Sequence, residues 1–153
     1  MAITASGLYG LSIEKMLIDT LGESLEAEDH YMALVTDTYT PNFDTHDFYN
    51  DLTNEIGSGG GYTTGGTTIT TTEVTVGSPA AGQLKWDHDD ATWAASTITN
   101  AMAGVDLTNV GGAASATNQL IALLDFVTAV STVSGLLTVQ IAANGVFYLD
   151  YTP

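Results

Sequence analysis

The run Asp87-His88-Asp89-Asp90 places three carboxylates and an imidazole in four consecutive residues. Oxygen-rich runs of this kind suit a hard cation such as Ca²⁺. This one lacks the Asp-x-Asp-x-Asp-Gly spacing and the distant Glu that close a calcium loop. It stands between two strand candidates, where a solvated acidic loop accounts for it. A second cluster is Asp44, His46, Asp47 and Asp51. His46 beside Asp47 has the makings of a base. No Ser or Cys stands in a nucleophile context near it, and no second His follows four residues on. Capping of a helix N-terminus by Asp44, with further acids in the first turn, explains the same residues. His30 stands alone beside a strand candidate and receives no role. The glycines of residues 57–66 lack the Lys-Ser/Thr ending of a phosphate cradle and precede a strand, so turns with positive φ are expected there. Trp86, Trp93, Tyr148 and Tyr151 fall on strand candidates and are expected to fill a core. No nucleophile, base and oxyanion donor come together along the chain. The sequence thus names no catalytic, cofactor-binding or metal-ligating residue and points away from an enzyme.

Composition narrows the partners. The chain has 153 residues, 18 of them acidic and two basic, Lys15 and Lys85, for a formal net charge of −16. Nucleic-acid affinity comes mainly from Lys and Arg displacing counterions, so no nucleic-acid partner is expected. Docking on an anionic membrane is disfavoured for the same reason. The residues are 44% hydrophobic and 13% charged, which is enough apolar surface for a folded core. There is no cysteine, which excludes disulfides and thiolate metal sites. The N-terminus has no basic, apolar leader pattern, and no apolar run is long enough to span a membrane.

The elements that must hold these residues follow from periodicity. Residues 1–11 are small and mixed and are expected to form an N-terminal arm, with a single β-rich domain over residues 12–153. Ser12 is placed to cap a helix from Ile13, on which Ile13, Met16, Leu17 and Leu21 share one face. Gly22 is placed to end it. Tyr31–Val35 is a strand-length apolar run, and Thr40-Pro41-Asn42 reads as a turn. Asp44 or Thr45 is placed to cap a short helix over residues 46–54. Alternation from Thr67 to Val76 reads as strand. Ser78–Gly82 reads as a turn. Residues 83–87 and 95–102 read as strands, residues 104–118 as a loop, and Leu120–Val127 as a buried strand. Asn144-Gly145, between apolar runs at 136–141 and 146–151, is the clearest hairpin signal. The fold class expected is mainly β with an N-terminal helix or helices (α+β), an antiparallel β-sandwich or barrel.

The block YMALVTDTYTPNFDTHDFYNDLTNEI followed by GSGGGYTTGGTTI, residues 31–69, resembles a family of small tailed-phage virion proteins. The matching positions are Ala33–Thr36, Tyr39–Asp47, Thr53–Glu55 and Gly61–Gly66. The later half follows the family plan more loosely, through Trp93, Ile98, Leu123, Asp125, Phe126 and the Asn-Gly turn. Residues 104–117 depart from it, being small where the family has a Tyr-containing strand and a polar turn. The resemblance implies a non-enzymatic virion structural protein. The favoured role is a capsid decoration or cement protein on the outer capsid surface, bridging major capsid subunits. A minor tail or neck/fibre component is the alternative. A host-glycan-binding module, using the aromatics and the Asp87–Asp90 loop, is a third reading. The partners expected are the major capsid protein or other virion proteins. Thr- and Ala-rich strands with little charge suit packing surfaces, so a homo-oligomer is expected, with a trimer favoured.

Overall fold

The computed structural model describes residues 3–19, 24–26 and 30–152. In chain order the elements are strand β1 (Gly7–Leu8), helix α1 (Gly10–Leu17), strand β2 (His30–Thr36), a single 3-10 turn (Tyr49–Asp51), and strands β3 (Thr67–Ile69), β4 (Glu73–Val76), β5 (Gln83–Asp87), β6 (Ala91–Ser96), β7 (Ala101–Leu107), β8 (Leu120–Val130), β9 (Gly135–Val139) and β10 (Phe147–Asp150). The strands form a five-stranded sheet in the order β1-β8-β7-β2-β3, a three-stranded sheet β10-β5-β4, and a ribbon β6-β9. Every pairing is antiparallel. The chain is therefore mainly β, as expected, with one N-terminal helix among the described residues, but the described strands close no barrel.

β2, β7 and β8 carry the core. Ala33 and Val35 point into one apolar cluster with Ala103, Val105, Leu107 and Leu123. Met32 and Leu34 point the opposite way, into a second cluster with Ala101. Alternate side chains of a strand must face opposite sides, so a sheet covered on both sides needs apolar residues at every position. Ile3, Tyr9, Tyr39 and Leu52 cover the first face. Tyr62, Ile69, Trp93, Ile98, Leu137 and Val139 cover the second. In a third cluster Trp86 of β5 packs with Ile121 and Ala122 of β8, flanked across the sheet by Val74 and Phe147.

Several expectations give way to these contacts. Residues 3–11 are not an arm: Ile3 is buried, and β1 pairs with β8 through Gly7 and Leu123. Helix α1 begins at Gly10, not Ile13. Its Ser12 is buried and donates its hydroxyl to the Leu120 carbonyl instead of capping. Leu17, expected on the apolar face, is 81% exposed. Leu21 and Gly22 lie outside the described residues. The helix expected over 46–54 shrinks to the 3-10 turn because its backbone is spent elsewhere. Tyr49 N–H donates to Asn118 O at 2.8 Å, and Asp47 O accepts Leu120 N–H at 2.9 Å.

The β half differs by position more than by kind. The alternation of 67–76 is two strands in two sheets, parted at Thr71, where φ is +56°. The strand expected over 95–102 is broken, with β6 ending at Ser96 and β7 starting at Ala101. The loop expected over 104–118 begins only after Leu107, since β7 is buried along its whole length. Its small residues serve close packing: a Cβ on Gly104 meets Met32 Sδ at 2.8 Å. β8 is buried only through Leu123 and runs on to Val130. Asn144-Gly145 does turn, with Gly145 N–H on Ala142 O at 2.8 Å, but makes no hairpin. β9 pairs with β6, whereas β10 pairs with β5, so the turn moves the chain between sheets.

Candidate interaction surface

Both acidic clusters are engaged within the fold. Asp47 binds Lys15 Nζ at 2.5 and 2.6 Å, and the same ammonium lies 4.0 Å from the Phe48 ring centroid. Asp51 Oδ2 accepts the N–H groups of Asp47 at 2.9 Å and Phe48 at 3.1 Å. The Asp47 bond above all, with Phe48 and His46, holds the Asp51 carboxyl below its ordinary range against the opposing effect of burial. Asp44 is exposed and donates its own N–H to Asn42 Oδ1, so capping falls to Asp51. His46 Nδ1 meets the Tyr39 hydroxyl at 2.9 Å, which meets the Tyr9 hydroxyl at 2.9 Å. Burial raises both phenols above their ordinary pKa.

In the second cluster, Asp87 pairs with Lys85 Nζ at 2.6 Å. Asp89 accepts Thr71 Oγ1 at 2.6 Å, and Asp90 accepts Ile141 N–H at 2.9 Å. The solvated-loop expectation holds for exposed Asp89 and Asp90 but fails for His88, which turns inward. Its Nε2 faces Asp106 Oδ2 of β7 at 3.5 Å, with both side chains fully buried. Its Nδ1 lies 2.7 Å from Asp89 O. Burial alone would lower the His88 pKa; the Asp106 carboxylate, then the Asp89 carbonyl and the Asp87 charge, outweigh it and raise the pKa. Trp86 lies edge-on to His88, with centroids 5.3 Å apart, and to buried His30 at 6.0 Å. A His–Asp pair is half of a catalytic base, but both side chains are fully buried and offer a substrate no face. Among the described residues, no three His, Asp or Glu side chains converge to hold a metal.

Glu55 is a site that sequence reasoning misses. Its carboxylate accepts the hydroxyls of Tyr49 and, at 2.6 Å, Tyr62, and Gly65 N–H at 2.6 Å. Tyr62 OH also accepts Leu34 N–H at 2.9 Å. Burial first, then the neighbouring Glu55, pushes both phenols up. One carboxylate thereby ties the Gly-rich loop to β2. The available signal was its place, a lone acid just before a glycine loop whose N–H groups need an acceptor.

The surface is what remains. Across residues 56–72 and 91–149 the only charged side chains are Asp106 and Asp125. Asp106 is buried. Asp125 lies on β8 between Leu124 and Phe126, which face the second core, so it points to the other side of the sheet. These uncharged segments pack together. Thr97 N–H donates to Gly60 O at 2.6 Å, and Thr132 N–H to Ile98 O at 2.8 Å. Trp93 and Leu137, paired across the ribbon, fill the core beneath it. Thr92, Ala94 and Leu136 alternate with them and face outward, with Leu136 65% exposed. Val127 and Val133, near the β8–β9 turn, are 72% and 84% exposed. The opposite face of the central sheet is covered by residues 37–55, with Asp37, Asp44, Asp47, Asp51 and Glu55. The ribbon and the segments packed on it therefore form an uncharged patch, beside residues 37–55 and a three-stranded sheet that carries Glu73, Lys85, Asp87 and Asp150. Depletion of charge is the compositional mark of an interface core.

Comparison with protein-family models, with curated proteins and with solved structures finds no match.

Proposed function

We propose that this chain is a non-enzymatic structural protein of a tailed-phage virion, most simply a capsid decoration or cement protein. It works by packing, with its uncharged ribbon face against neighbouring protein and its acidic surfaces toward solvent. We read the layers as a sandwich, the five-stranded sheet against the three-stranded sheet and the ribbon together. The observation that carries a packing role is the uncharged outer face of the β6–β9 ribbon. The engagement of Asp47, Asp51, Asp87, Asp89 and Asp90 with internal partners supports it, since none is left poised for catalysis. The virion assignment is carried by the resemblance over residues 31–66. Quantitative mass spectrometry of purified particles tests it. A copy number matching the shell subunits supports decoration, and a small fixed number per particle moves the protein to the tail or neck. Absence from complete particles overturns the reading.

A further inference from the structure

We infer that the uncharged patch, the outer face of the β6–β9 ribbon with Val133 of the turn before β9, binds a second copy of this chain. This deepens the packing role proposed above and rests on it, but does not depend on the virion. Charge selects the occupant. With a net charge of −16, two copies repel wherever their carboxylates meet. The ribbon face is where copies can approach with no carboxylate in between and no ion to desolvate. A basic partner would be drawn instead to the acids of residues 37–55 or of the three-stranded sheet. The end of the ribbon nearest Ser96 and Gly135 is the most favourable part, since Asp89 and Asp90 stand at the other end.

The contact is face to face, not edge to edge. The register of β6 slips between Trp93 and Ser96, and Ala95 takes φ of +50°. Such a bulge spoils the ladder that an added strand would need. The glycine loop also crosses there, since a Cβ on Gly61 would meet Ser96 Cα at 3.1 Å. Outward Thr92, Ala94, Leu136 and Val133 remain, short side chains that let two faces approach closely.

Sedimentation velocity of the purified full chain over a concentration series tests the contact, with Leu136→Glu, Leu136→Lys and Thr45→Glu beside wild type. Wild type should self-associate, and more strongly as added salt screens the general repulsion. Both Leu136 variants should weaken association at least about tenfold, because either charge would be buried unpaired. Thr45→Glu, on the acidic side, should change it little. Circular dichroism melts at the wild-type midpoint confirm that the variants fold. A wild-type monomer at every concentration overturns the inference, as does association indifferent to Leu136. Opposite effects of Glu and Lys overturn it too, since they mark a charge-driven contact. A monomer that is still found on particles overturns the self-contact and leaves the virion reading standing.

Discussion

His88 and Asp106 show how much a single residue's surroundings decide. In the sequence His88 sits among acids, which reads as surface; in the fold it reaches across to β7 and pairs with a buried carboxylate. The more legible half was Asp106, a lone acid inside the apolar run of residues 101–107, where only a partner can offset the cost of burial. Removing one member leaves the other stranded, so His88→Ala should cost about 3–5 kcal/mol in denaturant unfolding. The pH dependence follows from the sign of the shift. The folded pKa of His88 is raised, so its contribution is complete below the unfolded value of about 6.5 and is lost as pH rises through the folded value. The melting-temperature gap between wild type and His88→Gln should therefore be widest in mild acid and close toward alkaline pH. A gap constant with pH would contradict the charged pair. Glu55→Ala should cost about 2–3 kcal/mol by leaving two phenols and the Gly65 N–H without their acceptor, read by the same denaturant titration.

At the scale of elements, strand type was legible and strand partnership was not. The β2 and β5 runs stand out because β-rich apolar stretches of that length have few other uses. Register and sheet membership depend on contacts far along the chain. Asn144-Gly145 predicts a turn, and a turn forms, but the strands flanking it find better partners in β6 and β5. Residues 104–107 look like loop because small residues serve both turns and tight sheets. Gly66 is the sharpest constraint, since its φ is +86° and a Cβ there would lie 1.8 Å from Met32 O. Gly66→Ala must therefore shift β2 or β3, and a loss of at least about 3 kcal/mol in stability is expected from urea unfolding. Unchanged stability would mean that the loop does not hold this approach in solution.

Over the whole molecule, the feature invisible to a residue-by-residue reading is the sorting of charge. The acids read as one strong negative total, but folding leaves the β6–β9 ribbon uncharged while acids gather on residues 37–55 and on the three-stranded sheet. The expectation of little-charged packing strands was already in the sequence; which side they would occupy was not. The glycan-binding reading gains no specific observation, since the Asp87, Asp89 and Asp90 carboxylates are held by Lys85, Thr71 and Ile141. The most direct measurement is the amount of this chain in purified phage particles relative to the shell subunit, by quantitative mass spectrometry. A fixed ratio, close to that of the shell subunits, is the result predicted. Complete particles that contain none of it would contradict the assignment.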